Sequence, residues 1–110
     1  MATIKNLAFG LMATATTAAI YTAATAAGSQ VVIKSLICVN NDSSSRTVNV
    51  LFHPASGDPT KIIPKDLSLA AGNLLEFTPM ITLGAGDGII AYASVSGVVD
   101  YTLSGVEISA

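Results

Sequence analysis

The chain has 110 residues, of which 51% are hydrophobic and only 11% are charged, whereas ordinary domains carry about 25% charged residues. Its net charge of −2, without a basic run, lacks the electrostatic footprint of a nucleic-acid-binding protein. The single cysteine, Cys38, excludes an intrachain disulfide and a zinc site built on cysteines. A single domain with so few charges predicts a surface partly covered by copies of itself or by a partner, with a membrane protein as the competing interpretation.

The N-terminal part carries no charge between Lys5 and Lys34. Its segment LAFGLMATATTAAIYTAATAA (7–27) has the outline of a signal peptide, with Ala24-Thr25-Ala26 as a cleavage site, and the length of a membrane span. Alanine and threonine dominate it, however, and membrane insertion needs many Leu, Ile, Phe and Val residues. We therefore expect an N-terminal arm or a first strand over residues 1–16, a β-sandwich domain over 17–110, and no membrane contact.

Strand signals recur along the rest of the chain, while a helical stripe is absent. RTVNVLF (46–52) alternates apolar and polar residues, as does DGIIAYASVS (87–96). QVVIKSLICVN (30–40) is apolar and β-branched and ends in the polar cluster 40–45, which is typical of a hairpin loop. About eight short strands with regular turn signals predict an all-β fold, an antiparallel β-sandwich or jelly roll.

A short glycine pattern occurs twice, as Leu69-Ala70-Ala71-Gly72 before Asn73 and Leu83-Gly84-Ala85-Gly86 before Asp87. A phosphate cradle is excluded because a predicted strand, not a helix, follows the second copy, and because the Gly-Lys-Ser/Thr of a Walker motif is absent. The pattern instead predicts turns, since glycine accepts a positive φ and Asn or Asp favours turns. The predicted structural turns are at Gly28, Gly72, Gly86, Gly97 and Gly105, the last at a change of apolar phase that suggests a β-bulge.

No residue pattern in the sequence indicates catalysis. His53 is the only histidine, and the seven carboxylates are scattered without calcium-loop or metal-ligand spacing. None of the serines lies in a G-x-S-x-G motif. We expect neither an enzyme nor a metal or cofactor site, and we expect Cys38 to be a small buried apolar residue.

The order of several segments is the most informative feature: Ile20-Tyr21-Thr22-Ala23 before Gly28, VVIKSLICVNND, RTVNV, LSLAAGNLLEF, ITLGAGDGIIAYAS and VDYTLSGVEIS. Over roughly residues 17–109 this order resembles small β-sandwich virion structural proteins of tailed double-stranded DNA bacteriophages. The chain departs from that group at Ala26-Ala27-Gly28, where a Pro-Ala-Gly turn is usual. The resemblance implies a non-enzymatic structural protein located in the phage particle and assembled in the host cytoplasm.

A head decoration (cement) protein that stabilises the capsid from outside is our first expectation. The expected partners are the chain itself, as a homo-oligomer and first as a trimer, and the major capsid protein or other virion proteins, without nucleic acid. Apolar residues of the N-terminal segment are the expected assembly interface: Ile4, Leu7, Phe9, Leu11 and Ile20. The alternatives are a neck, collar or tail-associated protein, a receptor- or glycan-binding module of a fibre, which the scarcity of aromatic residues disfavours, and a secreted or periplasmic protein.

Overall fold

The computed structural model describes residues 2–14, 18–25 and 28–108. Within them lie ten strands: β1 (Ala2–Leu11), β2 (Ala19–Thr22), β3 (Gln30–Asn40), β4 (Arg46–His53), β5 (Thr60–Lys61), β6 (Leu67–Leu69), β7 (Leu74–Phe77), β8 (Ile81–Leu83), β9 (Gly88–Ala93) and β10 (Val99–Ile108). Sheet A has the order β1-β10-β3, with β7 and β8 both paired to the far side of β3. Sheet B has the order β2-β9-β4, with β5 and β6 both paired to β4.

The two antiparallel sheets pack together and confirm the predicted all-β sandwich. Alternation places one face of each long strand between the sheets, as in Val31, Ile33, Leu36 and Cys38 of β3. The jelly-roll connectivity and the extended arm remain predictions.

Residues 2–11, for which the sequence left an arm or a first strand open, form β1 at the edge of sheet A, antiparallel to β10. The chain then crosses to sheet B. The Met12 N–H donates to the Val99 carbonyl in sheet A (2.8 Å), and the Ala93 N–H of sheet B donates to the Ala13 carbonyl (3.0 Å). Met12 is 1% exposed, so the crossing is part of the core.

The polar cluster 40–45 is not a hairpin loop, so that prediction is wrong. It joins β3 of sheet A to β4 of sheet B. The reason lies in Asn40, whose buried side-chain amide donates to the Ser44 carbonyl (3.0 Å) and the Leu69 carbonyl (2.9 Å) and accepts from the Asp42 N–H (2.9 Å). These bonds satisfy a polar group at a closed end of the sandwich, where an unpaired amide would be costly.

The repeated glycine pattern forms two turns of the same design. The Asn73 N–H donates to the Ala70 carbonyl (3.0 Å), and the Asp87 N–H donates to the Gly84 carbonyl (3.1 Å). Gly72 has φ +70° and Gly86 has φ +80°, a region that side chains rarely adopt. Gly28 and Gly97 also have positive φ values.

Gly105 lies inside β10, not in a turn. The pairing of β10 with β3 shifts register between Ser104 and Gly105, and Lys34 of β3 is the residue skipped. The extra residue belongs to β3, so alternation along β10 is unbroken: Leu103 and Gly105 face the core and Val106 faces the outside of sheet A. The change of apolar phase in β10 therefore moves its apolar residues from the inner to the outer face. A Cβ at Gly105 would lie 2.1 Å from the Val32 carbonyl oxygen.

Candidate functional site

Among the described residues, most exposed large apolar side chains lie on the outside of sheet A. Ile4 is 85% exposed, Phe9 76%, Leu11 57% and Leu74 55%. The first three belong to the edge strand β1, and Leu74 belongs to β7 at the other side of the same sheet. Met80, which is 58% exposed, lies in the segment between β7 and β8.

Strand register shows that these side chains share one face. Leu11 pairs with Asp100, which pairs with Val39, which pairs with Leu74. Directly opposite residues point to the same side of a sheet. Two further rows, Phe9–Thr102–Ile37–Glu76 and Ile4–Val106–Val32–Thr82, follow from the same pairings.

Between those two rows, Asn6, Ser104 and Ser35 form a short polar row. We call this surface the sheet A outer face. Its apolar residues are Ala2, Ile4, Phe9, Leu11, Val32, Ile37, Val39, Leu74, Val106 and Ile108, and the exposed Lys34 lies beside the polar row. Its two carboxylates, Asp100 and Glu76, both lie on the side of the polar row where Leu74 lies.

The outside of sheet B is different because its central positions are covered. Asn49 is 3% exposed and Ile90 is 2% exposed, although both point away from the core between the sheets. The segment between β5 and β6 is hydrogen-bonded to this outer side of sheet B. The Asn49 amide donates to the Asp66 carboxylate (2.9 Å) and accepts from the Asp66 N–H (3.0 Å). The sandwich therefore presents one covered and one uncovered outer face.

Three of the five predicted interface residues, Ile4, Phe9 and Leu11, lie together on the sheet A outer face. Leu7 and Ile20 do not. Leu7 is the extra residue at a register shift in β1, is half-buried and packs against the core. Ile20 lies in β2 of sheet B and is half-buried against the core.

Val32, Ile37, Val39 and Leu74 are members of this face that the sequence analysis did not single out. A signal was present in QVVIKSLICVN, which is apolar at seven of its eleven positions and at consecutive ones in VVI and LICV. A strand apolar on both faces is expected to be covered on both. Because the second layer covers only one side of β3, the other side is available to a further partner.

A polar bridge joins the two sheets beside β1. The Tyr21 hydroxyl of sheet B donates to a Glu107 carboxylate oxygen (2.7 Å), and the Lys5 ammonium lies 3.1 Å from the other oxygen. The hydroxyl and the ammonium together hold the pKa of Glu107 below its ordinary value. Burial, reinforced by the carboxylate, raises the pKa of Tyr21. The bridge fixes β1 to the body of the sandwich and leaves its outer side chains free.

The residue types that most often bind metals or act as nucleophiles are dispersed over the described part of the chain. Among residues 2–14, 18–25 and 28–108, no cluster of three or more His, Cys, Asp or Glu side chains could hold a metal ion. His53 ends β4 and is half-buried. Cys38 is fully buried, and burial raises the pKa of its thiol to about 12, which leaves almost none of it as the reactive thiolate at neutral pH.

In the part of the chain that the structure describes, no helix has the length and apolar character that a bilayer crossing requires. Comparisons with protein-family models, with curated proteins and with solved structures found no match. The uncovered apolar surface on the outside of sheet A is the candidate functional site of this chain.

Proposed function

We propose that this chain is a non-enzymatic structural protein of a tailed-bacteriophage particle that assembles through the sheet A outer face. The observation that carries the proposal is the uncovered apolar face, on which Ile4 and Phe9 are more than three-quarters exposed. Monomeric proteins rarely leave a contiguous apolar patch of more than a few hundred Å² in water. A structural protein that is buried against neighbouring subunits accounts for such a face, and this role needs no catalytic residues.

Three further features support this role. Only 11% of the residues are charged, which suits a surface buried among neighbours, since interface cores are depleted of charge. The ordered resemblance of residues 17–109 to phage β-sandwich proteins points to a virion as the place where those neighbours are found. A sandwich with a well-packed core is also a rigid unit, as a shell component should be.

Within the particle, decoration of the outer head surface is our first assignment, with the major capsid protein as the partner beneath it. A neck, collar or tail ring is the alternative. The two differ in copy number: a head lattice takes on the order of hundreds of copies, and a closed ring takes about six or twelve.

The test is quantitative mass spectrometry of particles purified from the tailed phage whose genome carries this chain. We expect the chain to be present in the hundreds-of-copies range relative to the major capsid protein. A copy number of about six or twelve would move it to a neck or tail ring. Its absence from washed, infectious particles would overturn the proposed function.

A second experiment tests the surface. Deleting residues 2–16 would be a poor test, because β1 pairs with β10 along its length and Met12 is buried. Phe9→Lys is sharper, since it places a charge on the exposed face and leaves the core intact. We expect Phe9→Lys protein to add back poorly to particles stripped of the chain, while Ser68→Lys, at an exposed position of β6 in sheet B, adds back normally.

A further inference from the structure

We infer that the occupant of the sheet A outer face is the same face of a second copy of this chain, across a twofold axis. This inference deepens the proposed function by naming a partner for the surface on which that function rests. Association in solution and presence in particles are separate measurements, so either statement can fail alone.

The size of the face matches what a stable dimer needs. Sheet A is four strand positions wide, because β7 and β8 share the last one. With strands about 4.8 Å apart and ten residues of about 3.3 Å each along β1, the face spans roughly 600 Å² in projection. Stable interfaces bury about 800 Å² of accessible surface per partner, which a rough face of this projected size provides.

The charges on the sheet A outer face favour a second copy of this chain as its binding partner. The face carries charges of both signs, the carboxylates Asp100 and Glu76 and the exposed Lys34 ammonium beside the polar row, so a second copy can offer each charge a partner of opposite sign. The β7–β8 side is an unsuitable edge for adding another chain, because Pro79 lacks a backbone N–H and Met80 has φ +53°. The other edge, β1, could pair with a further strand, but that pairing would leave the apolar side chains of the face in water. Face-to-face packing, as between the two sheets of a sandwich, covers them and is therefore favoured.

The carboxylates also fix the direction of packing. Asp100 and Glu76 both lie to one side of the polar row Asn6–Ser104–Ser35. A twofold axis running along that row packs the strands antiparallel and moves the carboxylates of the two copies to opposite ends. An axis parallel to the strands would place like charges at the same end, which is unfavourable. In the antiparallel arrangement, Phe9 of one copy faces Ile4 of the other.

The first test is sedimentation equilibrium of the full chain at up to about 100 µM, above the micromolar dissociation constants of weak interfaces of this size. We expect a dimer. Phe9→Lys and Ile4→Lys should each weaken it at least about tenfold, and Ser68→Lys should leave it unchanged. Far-UV circular dichroism verifies that each variant is folded. A wild-type monomer, a trimer, or a dimer that tolerates both lysines would overturn the inference.

The second test fixes the direction of packing with a short bismaleimide cross-linker. Native Cys38 is fully buried and gives little background. The double variant Ile4→Cys with Phe9→Cys should form a covalent dimer far faster than either single variant. A double variant that cross-links no faster than either single variant would refute the proposed axis. The trimer expected from the sequence would itself be refuted by a dimer in solution.

Discussion

We expect Gly105→Ala to destabilise the sandwich. The cause is a steric clash, and the backbone freedom of glycine plays no part. Gly105 does not have a positive φ, so the backbone itself tolerates alanine. The obstacle is space: the added Cβ would lie 2.1 Å from the Val32 carbonyl oxygen and 3.1 Å from Leu7 Cδ1. Real Cβ atoms essentially never come within 3.0 Å of another heavy atom, so β10 and β3 must separate by at least 3.0 − 2.1 = 0.9 Å there.

A separation of that size lengthens a 2.9 Å hydrogen bond to about 3.8 Å, beyond the normal range. Losing one or two such bonds costs about 1 kcal/mol each, and forcing an overpacked site costs about 1–3 kcal/mol. We therefore expect Gly105→Ala to lower the free energy of unfolding by about 3 kcal/mol. For a domain of this size the melting temperature should fall by roughly 10–20 °C.

The assay is urea unfolding followed by far-UV circular dichroism, at one protein concentration because association adds to stability. Gly97→Ala is the matched control: its φ is +80° and nothing lies within 4 Å of an added Cβ, so only the left-handed backbone costs energy, about 1 kcal/mol. If Gly105→Ala were as mild as Gly97→Ala or milder, the close approach of β10 to β3 would be wrong.

Three further predictions follow from buried or bridged polar groups. Asn40→Ala should lower the free energy of unfolding by about 2–3 kcal/mol in the same urea assay, because the buried Leu69 carbonyl and the Ser44 carbonyl lose their donor. Cys38 should react with a thiol reagent only as fast as the protein opens, and equal rates in native and urea-unfolded protein would contradict its burial. Glu107 has a folded-state pKa below its ordinary 4.5, so its bridge stabilises the fold above that pH and is lost as the pH falls through the folded-state pKa. Glu107→Gln should flatten stability in this acidic window, and an unchanged pH profile would count against the bridge.

Local patterns predicted the strands and the turns well. Alternation in RTVNVLF and the Leu-x-x-Gly repeat depend on neighbours a few residues apart, and the structure places a strand over Arg46–His53 and turns at Gly72 and Gly86. The partners of each strand depend on distant residues. The segment 40–45 looked like a hairpin loop because its turn-forming composition does not reveal that Asn40 bonds to Leu69, 29 residues away.

The same reason explains why the sequence indicated only some residues of the proposed assembly surface. Composition indicated a covered surface and pointed to the N-terminal residues, of which Ile4, Phe9 and Leu11 are exposed. Leu7 instead packs against the core because of the register shift in β1, and such a shift leaves no mark in the sequence of the strand. Ile37 and Leu74 come from strands far apart in sequence, so only the sheet pairing reveals that they share this face.

The most direct test of the central claim is a cryo-electron microscopy reconstruction of the intact particle at a resolution that resolves strands. We predict density for this sandwich on the outer head surface, with Phe9 and Ile4 buried against a second copy of the chain. A reconstruction in which the sheet A outer face points into solvent, with no protein within contact distance, would contradict the account.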